Sequence, residues 1–514
     1  EMTFLLAESL SDAGKLSNAI DAYEKSAYKY SEHDNSAEAG YAALLTYTAL
    51  AERSDSENKK EITDRRIASA LLFGQRFPND KRAPLVLLQT AEQFFSTKQY
   101  EQATTVADGL TKHKLADSKV KTSAWTIIAH SQFATSQFDL AEKSYLSLLK
   151  LLPAQSELSR DTRELVAASI YKQGEAAINA GNQADAARQF TRLGTVIPES
   201  PKRRLAEYDA ATAYIELEDW PAAIKLLENF RKRYPEEKQF KSGITEKLAL
   251  AYSKNGNQSK AADEMIALSK TAADARQKEL MWAAAELYES AGDSQRAISV
   301  YKNYIKAFPR PLDRAVELRH RIAEYYATRN DSKSRQYWLK EIITADANGK
   351  NQRTDRTRYL AATASMELVK PVHRRFENSK LTIPLRQSLR KKKNLMEEAI
   401  SAYSKALKYQ VAEVTTEATY NIAKIYNDFA KALLQSQRPT GLDEDALEEY
   451  QLLLEEQAFP FEEKAIDIHV TNFKRIPSGN YDDSVRNSLQ ALSKLLPFRY
   501  SRKEMSSGYI EIAQ

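Results

Sequence analysis

The strongest constraint on this chain is a spacing that repeats. Trp125, Ile128 and Ala129 are followed by Ala141, Tyr145 and Pro153. Gly174, Gly181, Ala186, Phe190 and Pro198 restate the pattern, and Ala211, Tyr214, Ala223, Leu227 and Pro235 follow. Ala249, Tyr252, Gly256, Ala261 and Met265 lack only the final proline, which returns in Ala285, Tyr288, Gly292, Ala297, Tyr301 and Pro309. The second-helix alanines Ala141, Ala186, Ala223, Ala261 and Ala297 recur at intervals of roughly 36 to 45 residues. Small residues at a helix crossing let two helices approach, aromatics fill the space towards the next pair, and proline stops the second helix. One such unit cannot bury its own apolar face, so the spacing demands a stack of helix pairs.

Composition agrees with helix nearly everywhere. Only 14 Gly and 15 Pro interrupt 514 residues, while 42% are hydrophobic and 28% charged. That balance is too apolar for disorder and too evenly charged for a membrane span. A net charge of +5 from 75 basic and 70 acidic residues gives no electrostatic case for nucleic acid. The one basic run, Arg390, Lys391, Lys392 and Lys393, reads as a solvated helix start, with an anionic contact as the alternative.

The pattern is similar to the tetratricopeptide repeat, which implies an all-α fold, a tetratricopeptide-like α-solenoid forming a right-handed superhelix of antiparallel helix pairs. The expected organisation has four parts. Degenerate repeats occupy 1–115, marked by Asp12, Gly14, Ala19 and Tyr23, by Phe77 and Pro78, and by Tyr100, Ala103 and Ala107. A regular array spans 116–347, ending on Ile322, Ala323, Tyr326 and Leu339, with Arg335 in place of a packing alanine. An insertion or modified helix pair covers 348–394, signalled by Pro371 and Pro384, and C-terminal helical repeats with a cap fill 395–514. Long helices are expected at Thr415–Ser436 and Glu444–Gln457.

Pro384 and Leu385, the Arg390 to Lys393 run, Met396, Glu397, Ala399 and Tyr403 continue into Ser436–Pro439, Phe459–Ala465 and Leu496–Glu504. This last third resembles long bacterial periplasmic tetratricopeptide proteins described as components of TonB-type or gliding-motility systems. The resemblance implies an envelope scaffold. The absence of cysteine leans the same way, towards the periplasm, and also excludes disulfides and thiolate chemistry. The chain starts inside an apparent helix without a basic and apolar leader, so a targeting segment is expected to lie outside it.

Nothing in the sequence points to catalysis, a cofactor or a metal. His33, His113, His130, His320, His373 and His469 are scattered without the paired spacing of a zinc helix, and no glycine-rich phosphate loop occurs. The working surface is expected on the concave face of the first helices. There the phase places Thr126, His130 and Phe133, then Tyr171, Glu175 and Ile178, then Leu205, Tyr208, Thr212 and Ile215. Glu246 and Leu250, Trp282, Glu286 and Glu289, and finally His320 and Glu324 complete the face. The partner-binding groove is therefore assigned to Tyr171, Glu175, Tyr208, Thr212, Glu246, Trp282, Glu286, Glu289 and Glu324. Aromatic anchors with glutamates imply a basic, proline-containing protein or peptide, and the resemblance implies a membrane-associated complex. Peptidoglycan or another polysaccharide is the alternative ligand, and ordinary packing between repeats is the plain role for Tyr208 and Trp282. The lysine and asparagine clamp by which some tetratricopeptide domains hold a terminal carboxylate is not matched.

Overall fold

The computed structural model describes residues 1–501, so residues 502–504 of the C-terminal LPFRYSRKE run lie outside the described residues. Every regular element among the described residues is helical. In chain order these are α1 (Met2–Asp12), α2 (Leu16–Glu24), α3 (Ser36–Glu52), α4 (Ser56–Arg76), α5 (Ala83–Ser96) and α6 (Tyr100–Lys112). Next come α7 (Ser118–Ala134), α8 (Phe138–Leu149), α9 (Glu157–Asn179), α10 (Gln183–Val196), α11 (Lys202–Glu216) and α12 (Trp220–Arg233). Then follow α13 (Lys238–Lys254), α14 (Gln258–Ser269), α15 (Asp274–Ser290), α16 (Ser294–Ala307), α17 (Leu312–Thr328) and α18 (Ser332–Ala347). The last are α19 (Asp355–Asn378), α20 (Leu385–Leu407), α21 (Ala412–Leu434), α22 (Glu444–Phe473), α23 (Asp483–Leu495) and α24 (Pro497–Tyr500). The chain divides into two compact units, Glu1–Glu264 and Met265–Gln514. Each is a stack of tetratricopeptide-type helix pairs, so the fold class expected from the sequence is the one observed.

One local device makes the pairs. At the turn from first to second helix a single residue takes a left-handed conformation: Gly181 at φ +74°, Gly256 at +78° and Gly292 at +75°. The same turn is made without glycine by Ser136 at +61°, Glu218 at +57° and Asn330 at +56°. In each case the amide one residue later reaches back across the helix end, as Asn182 N does to Ala177 O at 2.8 Å and Asp219 N to Tyr214 O at 2.9 Å. That next residue then caps the second helix. Asn182, Asp219, Asp293 and Asp331 accept from the amides of Asp185, Ala222, Arg296 and Ser334. Two adjacent residues thus end one helix and start the next.

The alanines that define the repeat are where packing needs them. Ala141, Ala186, Ala223 and Ala261 are completely buried, and Ala297 nearly so. In the first unit one apolar cluster runs from Ala129 through Tyr145, Ile170 and Phe190 to Ala210, so successive pairs share a core. A partly buried ion pair ties neighbouring pairs together as well. Arg192 makes a two-pronged contact with Glu142 at 2.7 and 2.6 Å, and Gln173 donates to the same carboxylate at 2.7 Å.

The second unit departs from the regular pattern after α18. The fully buried Asp346 accepts from Thr357 Oγ1 at 2.8 Å and pairs with Arg353 at 2.6 Å, fastening the turn into α19. Pro371 lies inside α19, and Ile383-Pro384 is a cis bond ahead of α20. The basic run is not uniformly solvated: Lys392 is buried, and its Nζ donates to the carbonyls of Phe376 at 2.9 Å and Ser379 at 2.6 Å, at the end of α19. A helix end is a favourable place for a cation. Arg335, standing where a packing alanine was expected, pairs with Glu367 at 3.0 Å. The helix expected to stop at Gln457 continues through Pro460 to Phe473. Phe461 packs on Phe429 at 4.7 Å and Ala465 is fully buried, and this packing outweighs the one hydrogen bond that proline removes.

Candidate functional site

The first helices α9 and α11 and the start of α10 enclose a cleft of about 530 Å³ in the first unit. Its walls include Tyr171, Glu175 and Thr212 of the residues singled out in the sequence, together with Lys172, Gln183 and Asp209. The volume falls within the range of ordinary ligand clefts. Tyr171 is held from both sides. Its ring packs against Phe190 at 5.2 Å, and its hydroxyl donates to Asp209 Oδ2 at 2.7 Å. Phe190 itself can sit there because Gly174, on the facing turn of α9, offers no side chain in its way.

The cleft is acidic and short of donors. Burial raises the Asp209 carboxyl above the usual carboxylate range, and nearby Glu175 pushes the same way, against the Tyr171 hydroxyl and Lys247. Burial also raises the Tyr171 phenol, so it stays a neutral donor. Glu175 pairs with Lys172 Nζ at 2.6 Å. Gln183 Oε1 is buried without a donor. A buried acceptor without a partner carries a desolvation cost that an incoming N–H would remove. Thr212 offers less, since its hydroxyl donates to the Tyr208 carbonyl of its own helix at 3.1 Å.

Tyr208 faces the next pair. Its ring lies 5.1 Å from Phe240 and 5.1 Å from Lys247 Nζ, and its hydroxyl sits where a Cβ on Gly243 would stand. Burial raises its phenol, with Asp209 and the exposed Glu246 adding to the effect. His130, also placed on this face by the sequence, is half-buried and bonded to the Tyr145 hydroxyl at 2.8 Å.

The second unit holds the other four groove residues, each with a partner from its own chain. Trp282 Nε1 donates to Glu286 at 2.7 Å, while its ring meets Tyr304 edge-on at 6.3 Å and lies 5.2 Å and 5.7 Å from the guanidinium carbons of Arg314 and Arg321. Glu289 pairs with Arg321 at 3.0 Å, and Glu324 approaches Arg335 at 3.8 Å. Asp209, Gln183 and Arg321 were not singled out from the sequence. A signal existed for Asp209, which sits beside Tyr208 on the same predicted helix face. Among the described residues there is no cluster of three or more carboxylates or imidazoles able to hold a metal ion, and no helix long and apolar enough to cross a membrane.

Comparison with known proteins places the cleft inside a family match. Residues 163–244 match the YfiO family, described as an outer membrane lipoprotein, and residues 279–310 match a tetratricopeptide repeat family. No curated protein matches the sequence. Among solved structures, the C-terminal part of a TPR repeat-containing protein from Cytophaga hutchinsonii is similar at 16% identity, over 52% of this chain and 97% of that one, with a TM-score of 0.23. The MamA protein is similar at 19% identity over 40% of this chain and 94% of its own, with a TM-score of 0.23. The structure of Naa15/Naa10 bound to HypK-THB is similar at 14% identity over 97% of this chain and 78% of that one, with a TM-score of 0.32.

Proposed function

We propose that this chain is a non-enzymatic protein–protein interaction scaffold of the bacterial cell envelope, acting in the periplasm. Tetratricopeptide stacks present helix faces to other proteins, and the outer membrane lipoprotein match over 163–244 supports an envelope location. Membership of a TonB-type or gliding-motility assembly rests on the C-terminal resemblance alone. The proposed contact residues are Tyr171, Glu175, Tyr208, Thr212 and Glu246 in the first unit and, as a separate stretch, Trp282, Glu286, Glu289 and Glu324 in the second. The observation that carries the reading is the acidic α9–α11 cleft, where the acids Glu175, Asp209 and Glu216 outnumber the one lining base, Lys172, and Gln183 Oε1 lacks its donors. A lysine or arginine from a partner segment would supply them, and a neighbouring proline would lie on the half-buried Tyr171 ring. A glycan is less well served, because Trp282 already has two arginines and a tyrosine around it.

The test is to pan a random peptide library on the whole chain and on its Glu175→Lys and Asp209→Lys variants. Enrichment of basic, proline-containing peptides on the parent but on neither variant is expected, with affinity falling as salt rises. Identical peptides on all three proteins, or binding confined to a glycan array, would refute the groove.

A further inference from the structure

Helix α22 has two apolar faces, and among the described residues only one of them is packed. Its inner face buries Leu454 and Ala458 to 4% and 1% exposure and lays Phe461 on Phe429 of α21. Half a turn away, Leu452, Leu453 and Phe459 stand 61%, 51% and 57% exposed. Together with Glu449 and Glu456 they follow helical spacing and form a single stripe. Among the described residues, α23 and α24 do not reach it. Asn472 meets Ser488 of α23 at 3.0 Å and Phe473 meets Tyr500 of α24 at 5.4 Å, at the other end of α22.

We propose that this outer face of the first half of α22 is the docking site for a basic amphipathic helix of a partner protein. The charge around the stripe selects that occupant. From Asp443 to Glu463 every ionisable side chain is acidic apart from the Tyr450 phenol, and Lys464 is the first base. The stripe's own Glu449 and Glu456, and Glu448 and Glu455 at its edge, are exposed and make no ion pair among the described residues. An apolar ridge bordered by a single sign of charge fits a helix with leucine-type residues on one side and lysine or arginine beside them. A second copy of this chain would set acid against acid, and an anionic lipid surface would be repelled likewise. This site lies wholly in the second unit and stands independently of the α9–α11 cleft.

The probe is a fluorescent synthetic helix carrying leucine and lysine at heptad spacing, titrated by anisotropy into the whole chain. Controls are the same composition scrambled and a helix with glutamate for lysine. The parent protein binds the ordered basic helix. Leu452→Ser and Phe459→Ser, both at exposed positions that leave the core intact, each weaken it by about tenfold. Glu455→Lys/Glu456→Lys lowers its affinity and raises that of the acidic helix, whereas Glu101→Lys, at an exposed acid of α6 outside both sites, changes neither. The proposal is overturned if the scrambled peptide binds equally, if the α22 variants bind as the parent does, or if Glu101→Lys loses binding as they do. Sedimentation showing a dimer that Leu452→Ser dissociates, or neutral-lipid vesicle binding insensitive to charge reversal, would overturn it in favour of those occupants.

Discussion

Replacing Gly174 by alanine pits two effects of known size against each other at one atom. Gly174 lies inside α9, where alanine is favoured over glycine by about 1 kcal/mol. Its new Cβ would stand 2.4 Å from Phe190 Cε1 and 2.7 Å from Cδ1. Carbon atoms are comfortable at about 3.5–4.0 Å, so the ring must move by roughly 1 Å or more. Phe190 is only 2% exposed and is backed by Tyr171, which leaves it little room to move. Overpacking of this kind costs about 1–3 kcal/mol, so the net change is a loss of up to about 2 kcal/mol. Gly109 in α6 is the control, because a Cβ there meets nothing within 4 Å, and Gly109→Ala should stabilise by about 1 kcal/mol. Urea unfolding followed by far-ultraviolet circular dichroism reads both. The decisive arm is a double-mutant cycle: with Phe190→Leu in place, Gly174→Ala should become neutral or stabilising. If it destabilises equally in both backgrounds, the Phe190 contact is not the cause and the reasoning fails.

Three further outcomes are expected. Gly181→Ala should cost about 1–2 kcal/mol through its φ of +74° alone, since nothing lies near its Cβ, while Glu218→Gly relieves the same conformation and should gain up to about 1 kcal/mol; thermal melts of both variants moving in the same direction would contradict this. Lys392→Ala should cost about 2–4 kcal/mol by leaving the Phe376 and Ser379 carbonyls without their charged donor, whereas Lys391→Ala and Lys393→Ala, both exposed, should stay within about 0.5 kcal/mol; equal effects in urea titrations would count against it. Burial holds the His469 imidazole down at about 4 against an ordinary 6.5, so the unfolded chain binds more protons between those values: this contribution is intact above about pH 6.5 and is lost as pH falls towards 4, by up to about 3 kcal/mol, and urea midpoints of His469→Gln that keep the parent's full acid slope would disprove it.

The repeat was legible because its residues answer to local geometry. An alanine at a crossing and a proline after a second helix carry the same meaning wherever they stand, and the buried Ala186 and Ala297 are cases in point. The turn was legible only in part. Glycine advertises it at Gly181, Gly256 and Gly292, but Ser136, Glu218 and Asn330 adopt the same backbone, held there by the back-reaching amide and, at Glu218 and Asn330, by the capping aspartate that follows. Lys392 was hidden by its neighbours. A run of four bases reads as solvated, yet Lys392, Met396, Ala399 and Tyr403 share one helix face and all are buried. The end expected at Gln457 fell short of the helix, although Leu454, Ala458, Phe461 and Ala465 keep helical phase straight through Pro460.

The groove was harder to read because charge on one helix says little until the facing helix is known. Glu286, Glu289 and Glu324 look like an acidic lining when the first helices are considered singly. Trp282, Arg321 and Arg335 then supply donors to them, with Arg321 and Arg335 arriving from α17 and α18, more than thirty residues from Glu289 in the first case. An exposed pair of this kind contributes little to stability, but it largely neutralises the field that would draw a basic partner. The α9–α11 cleft differs because its extra member, Asp209, is another acid and its tyrosine donates to that acid. Acid meeting acid across two first helices, with Lys172 the one base in the lining, leaves acceptors in excess for a guest to satisfy. The first-unit cleft and the outer face of α22 each carry an excess of negative charge, and the partner proposed for each is positively charged for that reason.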